Sequence, residues 1–466
     1  MSYIPPILPR PDKPLGRLDL LRTARRNLLA IWPESCFHSD LFGYQFWGRN
    51  VLICNSPDTV REALLDNAAV LEQKSLQQRH ALAPLIGDGL FISDGETWRD
   101  RRRVVAPVTH VSRLAELTPA ITEGAAQRLA QWQALPLGST VDALAEMAQM
   151  TAGVICTTIF GRHLGAKAAH TVVEAFTEYQ SLVGQMDLMS LLGLPDFLPR
   201  FQGLRIRGAV RRIHRVIDDI IAEIVGSGDG GEASLIRSMM EAPLAGTGRP
   251  MNRRAFRNEA AVLFMAGHET TANTLAWAWF LLSQDAETEA RLHAEADTAL
   301  AGRAATFEDL PALKFTRAVV EETLRLYPPV PLQVRQATGD CTLGGRAVPA
   351  GSLVIVNAWL LHRHHKYWAD PDVFQPERFL PGGSGVPSRY AYIPFSIGPR
   401  ICTGAAFGLT EVIICLATLA QHMRLRLQPG FRVTPTCRLS LRPGERLPMS
   451  IEPRMAVAAT DKLADA

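Results

Sequence analysis

The sequence predicts a mainly α-helical fold with a small β-sheet region. Three observations carry this. Apolar residues recur at three- and four-residue spacing through most of the chain, the period of one helix face. Strand-like patterning is confined to two regions, Phe46 to Ile53 and Thr342 to Val356. Short Gly- and Pro-rich breakers, rather than long linkers, separate the periodic stretches.

In chain order, Leu18 to Trp32 places apolar and Arg positions at helical spacing. This amphipathic pattern suits packing on its own domain better than lying on a membrane surface. The first strand-like stretch ends at Asn55-Ser56-Pro57. Helices are expected over Pro57 to Leu65, Thr97 to Val105, Ala168 to Val183, Ile206 to Val225, Asn258 to Leu282, Thr316 to Leu326 and Ala405 to His422. The run Gly226 to Gly231 lacks the Gly-Lys-Ser/Thr ending and the preceding strand of a phosphate loop, so it reads as a mobile linker. Gly344-Gly345 and Pro349-Ala350-Gly351 break the second strand region into hairpins. Pro328-Pro329 and the stretch from Pro381 to Pro387 are further breaks. No linker is long enough to divide two cores. One domain is expected over residues 41–455, with a peripheral segment at 1–40 and a disordered tail at 456–466.

The chain has 466 residues, 47% hydrophobic and 20% charged, which excludes a disordered or fibrous protein. That length can enclose a large core with a cofactor inside it. With 49 basic against 46 acidic residues the formal net charge is only +3, which argues against a dedicated nucleic-acid binder. The N-terminus lacks the basic-then-apolar layout of a signal peptide, and no run of 18 uncharged apolar residues occurs. A monomer in the cytoplasm with no transmembrane anchor is expected. The seven cysteines are widely spaced with no C-x-x-C pair, so zinc ribbons, thioredoxin motifs and c-type haem attachment lack support.

One cysteine stands in an unusual setting. Residues 395–404 read Phe-Ser-Ile-Gly-Pro-Arg-Ile-Cys-Thr-Gly and lead directly into an apolar helix. Cys402 therefore precedes a helix N-terminus, where unpaired N–H groups favour a thiolate. Gly398 and Gly404 allow tight turns and close approach to a flat ligand. Phe395, Gly398, Arg400, Cys402 and Gly404 match F-x-x-G-x-R-x-C-x-G, and here the chain resembles the cytochrome P450 family. Four further matches stand in order. They are Trp98 with Arg102, Ala266-Gly267-His268-Glu269-Thr270-Thr271, Glu322-Thr323-Leu324-Arg325, and Pro376-Glu377-Arg378-Phe379. The resemblance covers roughly residues 40 to 455.

The resemblance implies a P450-type fold with haem b (iron protoporphyrin IX) between a long central helix and the cysteine loop, and Cys402 as the axial iron ligand. Phe395, Gly404 and Ala266 would border the macrocycle. Trp98, Arg102, Arg335 and Arg400 would bind its propionates. Glu322, Arg325 and Arg378 would form a buried network holding the cysteine loop. Thr270 and Glu269 would be catalytic, the first beside dioxygen where the central helix widens, the second relaying protons. His268 falls at the variable position of its motif and reads as non-catalytic. Thr109 stands where the family usually has Phe, so altered local packing is expected.

The implied activity is a haem-thiolate monooxygenase that uses two electrons and dioxygen to hydroxylate or epoxidise a lipophilic small molecule. A peroxide-driven peroxygenase, or an isomerase or dehydratase on the same haem, is the alternative. A non-catalytic haem sensor or carrier is a reading of another class. Retention of Glu269 and Thr270 disfavours all of these. No flavin or nicotinamide motif is present, so an external donor (ferredoxin, flavodoxin or reductase) is expected on the proximal face, meeting some of Arg99, Arg101 and Arg103. The substrate pocket is expected among Ser75 to Ser93, Phe176 to Phe201, the helix face with Val262, Leu263 and Ala266, and Val330 to Val334. Its apolar residues suit a fatty acid, a terpenoid or another lipophile.

Overall fold

The computed structural model describes residues 3–46, 48–161, 166–183, 203–226 and 235–454. The central helix Arg253–Gln284 runs through the middle of the molecule for 32 residues. It starts at Asn252, whose side chain accepts a hydrogen bond from the Ala255 N–H at 2.9 Å. Past Ala260 it is apolar on almost every face, and a helix of that kind must be buried all round. Ala143–Phe160, Lys314–Leu326 and Ala405–Ala420 pack directly against it, and Leu114–Gln133 covers two of these. Gly267 sets one of these contacts. A Cβ at that position would lie 2.3 Å from Ile155, so glycine lets Ala143–Phe160 come close. Ala143–Phe160 is the one described helix long and apolar enough to cross a membrane, and most of it is buried within this bundle.

The principal sheet has five strands in the order Leu41–Phe46, Arg49–Cys54, Leu353–Asn357, Leu332–Gln336 and Gln73–Lys74. Arg49–Cys54 and Leu353–Asn357 are parallel and the other pairs antiparallel. The register places Lys74 directly opposite Arg335. A second sheet joins Thr140–Asp142, Pro448–Pro453 and Met423–Leu427.

Several expectations change here. The strand-like stretch from Phe46 to Ile53 is not one strand. A turn at Gly48, with φ of 76°, folds it into the antiparallel hairpin of the first two strands. The breaks at Gly344-Gly345 and Gly351 fall where expected, at φ of 54°, 75° and 83°. The helix expected over Pro57 to Leu65 runs as Pro57–Arg61 and continues in a wider turn over Glu62–Asp66. The segment before Leu41 is not peripheral, because Leu8, Leu29, Trp32 and Phe37 belong to the main buried cluster. The Tyr327 hydroxyl donates to the Pro6 carbonyl at 2.8 Å, and the Phe374 N–H to the Tyr3 carbonyl at 3.0 Å. The tail at 456–466 and the Gly-rich run beyond Gly226 lie outside the described residues.

Candidate functional site

The cysteine loop is built from strained but supported backbone. Ser396 and Gly398 have φ of 63° and 76°. A Cβ on Gly398 would lie 2.2 Å from the Leu64 carbonyl oxygen, so glycine answers both the positive φ and the close approach. The Cys402 N–H donates to the Phe395 carbonyl at 2.9 Å and closes the loop. Helix Ala405–Ala420 starts at once after Gly404. Among the seven cysteines Cys402 alone is exposed, and its open side is an internal cavity. Burial pushes its thiol up, opposed by the Gly404 N–H and the Arg102 charge. The expected thiolate is therefore not favoured by the loop alone; a metal would draw the proton off.

One cavity gathers nearly the whole expected cofactor set. Cys402, Phe395, Gly404, Trp98, Arg102, Arg335, Arg400, Ala266 and Thr270 all line it. Ala266 is exposed in the middle of a buried helix because its free side is this space. A Cβ on Gly404 would meet nothing nearer than the Thr109 hydroxyl at 4.0 Å, so it would project into the cavity. Thr109 is buried and lines the cavity with an unpaired hydroxyl.

The charges around the cavity are unbalanced. Arg400 packs over Trp98, 4.4 Å from the ring centre, and donates to Asp94 at 2.8 Å, leaving its buried Nε without a partner. Arg102 donates to the Ile401 carbonyl at 2.7 Å. Buried Arg335 donates only to the Val334 carbonyl, at 3.1 Å, and burial together with the charge of Arg400 pushes it down to about 10. Lys74 also lines the cavity. Burial, then Arg335 and Arg400, hold its ammonium well below the usual lysine range. Neither Lys74 nor Arg335 has a carboxylate within ion-pair distance among the described residues, and no Asp or Glu lines the cavity. A planar dianion with two carboxylates fits this arrangement, and so does a metal that takes one thiolate. The residues present thus fit a haem. Sequence reasoning missed Lys74; its signal is strand pairing, which sets it opposite Arg335.

The family model for cytochrome P450 matches residues 16–446. The chain is a cytochrome P450. Cyclooctatin synthase of Streptomyces melanosporofaciens is 34% identical over 443 residues, 94% of each chain. Cyclooctat-9-en-7-ol 5-monooxygenase of the same organism is 32% identical over 94% of this chain and 93% of its own. Pentalenene oxygenase of Streptomyces avermitilis is 28% identical over 90% and 91%. The haem domain of cytochrome P450DA superposes with a TM-score of 0.77 at 23% identity, covering 90% of both chains. Membership makes this P450 a haem-thiolate monooxygenase that draws on dioxygen, an organic substrate and a redox partner.

Within this P450 the expected catalytic pair is split. Thr270 lines the cavity and donates to the Ala266 carbonyl at 2.7 Å. Glu269 does not line it. Its carboxylate accepts from Ser440 at 2.6 Å and from Arg442 at 2.7 Å, behind the central helix. Burial alone would raise its pKa, but the Arg442 charge and the Ser440 hydroxyl hold it below the usual range. Successive helical residues point about 100° apart, and here that turn carries the Glu269 side chain away from the cavity that Thr270 lines. His268 also turns away, between Phe264 and Phe176, with its ring bonded to the Phe264 carbonyl at 2.8 Å. The central helix runs without interruption through this motif.

The structural network of the P450 is present and larger than expected. Arg325 donates to Glu322 at 2.6 and 2.8 Å and to the carbonyls of His362, Pro371 and Val373. Arg378 lies 3.5 Å from Glu322 and donates to the Asp370 carbonyl at 2.8 Å. His362 is the link that motif matching did not supply. It bonds the Arg325 carbonyl through Nδ1 at 3.1 Å and accepts the Ile393 N–H at 2.9 Å. Its ring thus joins the network to the strand of chain leading into the cysteine loop. Burial, then the Arg325 charge, pushes it down to about 3, so it stays neutral.

Two expectations about surfaces also change. Arg101 is buried, not available to a partner, and pairs with Glu259 and with Asp88 at 3.0 Å. Glu259 in turn accepts the Leu90 N–H, which fixes the turn that presents Leu90 and Phe91 to the cavity. Arg99 and Arg103 remain half or more exposed. Of the expected pocket segments, Ser75 to Ser93, the helix face and Val330 to Val334 contribute lining residues. None of Phe176 to Val183 does, and 184–201 lie outside the described residues.

Proposed function

We propose that this P450 hydroxylates a cyclic, largely hydrocarbon lipophile of terpenoid type, with haem b held by Cys402. The observation that carries the reading is one cavity that sets Cys402 and a group of cations, Lys74 and Arg335 among them without a carboxylate partner among the described residues, beside apolar walls. Two relatives alike over nearly their full length are named for a cyclic alkenol and for pentalenene, which favours terpenoids over fatty acids. Among the described residues no lining cation lies free of the cofactor's own group to anchor a fatty-acid carboxylate.

The haem, when bound, supplies the redox chemistry on dioxygen. The protein's residues bind, orient and protonate. Cys402 gives the thiolate. Lys74, Arg102, Arg335, Arg400 and Trp98 hold the propionates. Leu90, Phe91, Val262, Leu263, Val330 and Leu332 exclude water and hold the substrate by apolar contact. Thr270 presents its hydroxyl to the cavity as the proton-handling group. Glu269 serves as an anchor, tying Arg442 and the Thr436–Cys437/Leu441–Arg442 hairpin to the central helix. Arg99 and Arg103 meet an acidic external electron donor on the outer side of Gly95–Val105.

The test is direct. The reduced carbon monoxide spectrum should show a thiolate-type band that Cys402→Ser loses. Cyclooctat-9-en-7-ol or pentalenene should yield an oxygenated product with a reductase system and NAD(P)H, and not with peroxide alone. Turnover with peroxide alone at the same rate would favour the peroxygenase reading. Electron consumption with no oxygenated product would favour the sensor.

A further inference from the structure

Two histidines far apart in the sequence meet on the surface. His38 closes the short helical turn Glu34–Phe37, and His365 follows the buried run His362 to His364. The His365 N–H donates to the Phe37 carbonyl at 3.0 Å, so backbone holds the two segments together. The imidazole rings stack, with centres 4.3 Å apart and planes 14° from parallel. Both turn Nε2 to the same oxygen. Glu34 Oε1 lies 3.2 Å from His38 Nε2 and 3.5 Å from His365 Nε2. The other oxygen of Glu34 accepts from Arg10 at 3.0 Å, and Arg10 is itself fixed over the Phe37 ring and on Asp372. This leaves Oε1 to the histidines. None of the three residues lines the haem cavity. His38 and His365 are exposed and Glu34 is half-buried, so the cluster opens to solvent.

The separations decide what the cluster suits. They are long for N–H···O bonds, whose usual length is about 2.9–3.0 Å. An ion bonded at about 2.0–2.1 Å sets tetrahedral ligand atoms roughly 3.3 Å apart, which both separations match. Burial, then the neighbouring His38, pushes His365 down, which leaves its lone pair open to a metal. Burial opposes ionisation of Glu34, but Arg10 holds its carboxyl below the usual range.

The geometry points to Glu34, His38 and His365 as a zinc site that bridges the first forty residues to the loop after helix Ala358–Leu361. Imidazole and carboxylate are ordinary zinc ligands, and water from the open side fills the fourth position. The site is independent of the haem and of the substrate reading.

The experiment titrates untagged, haem-loaded protein with zinc chloride by calorimetry. Wild type should bind one equivalent. His38→Asn and His365→Asn should each weaken binding at least tenfold, since loss of even an outer-shell support costs about that much. X-ray absorption of zinc-loaded wild type should show two imidazole ligands at about 2.0–2.1 Å. Bound zinc should also slow hydrogen exchange at the His365 amide. No binding by wild type, unchanged affinity in either variant, or a zinc spectrum without imidazole ligands overturns the site. Unchanged exchange at His365 overturns the bridge. The reduced carbon monoxide spectrum of each variant checks that it has folded around haem, and the absorption spectrum needs wild type alone.

Discussion

On the proposed reading Thr270 handles the proton with its hydroxyl at the cavity, while the Glu269 carboxylate is paired with Arg442. Thr270→Ala should lower product per electron consumed by roughly a hundredfold, the lower end of what a positioned proton donor contributes. Electron consumption itself should persist; product and NAD(P)H assays on the same sample check this. Lys74→Met should weaken haem binding by about one to two powers of ten, the worth of a charged hydrogen bond. The same change should stabilise the haem-free protein, because like charges opposite each other across strands are unfavourable. Haem titration and urea unfolding read the two effects separately. Legibility at this scale follows chain locality. Cys402 is readable because its supports, Phe395, Gly398 and Gly404, are contiguous with it. Lys74 is not, because only sheet pairing brings it to Arg335. The placement of Glu269 away from the cavity is not legible either, because its partners Ser440 and Arg442 lie over 170 positions away.

The elements that fix the cysteine loop meet at Glu322 and Arg325, both fully buried. Arg325→Met should cost about 3–5 kcal/mol, because it strands the Glu322 carboxylate without its partner; denaturant unfolding measures it. His362 adds a pH signature. Its folded-state pKa lies below its unfolded value of 6.5, at about 3, so its contribution is complete above pH 6.5 and is lost as pH falls toward 3. Below pH 6 wild type should therefore lose stability faster than His362→Gln, by about 1.4 kcal/mol per pH unit. Buried Glu411, pushed up by burial, acts in the opposite sense in both proteins, so only the difference isolates His362. Equal slopes would remove the assignment. The long helices were legible from periodicity and breakers. Leu332–Gln336 was not, since its five residues carry too little pattern apart from the strands on either side.

At the scale of the molecule the charge is nearly neutral, and what matters is where it is left exposed. Arg99 and Arg103 sit on one helix, paired with the half-buried carboxylates of Glu72 and Asp100. Reversing both to Glu should slow reduction by an acidic donor and flatten its salt dependence, with substrate affinity unchanged. Stopped-flow reduction at several ionic strengths checks this; a rate indifferent to salt in wild type would rule out charge steering. The helical class with small sheets was legible throughout. The docking of the first forty residues was not, because partners such as Tyr327, Asp372 and Phe374 lie more than three hundred positions away. That docking has a consequence in time. The Tyr3 carbonyl waits for the Phe374 N–H, and Pro6 for Tyr327. At about 5–20 residues per second, a ribosome needs roughly 20–70 s to supply the partner of Tyr3. Through that interval the Tyr3 and Pro6 carbonyls lack these partners, so the last part of the protein to be tied down is the part made first.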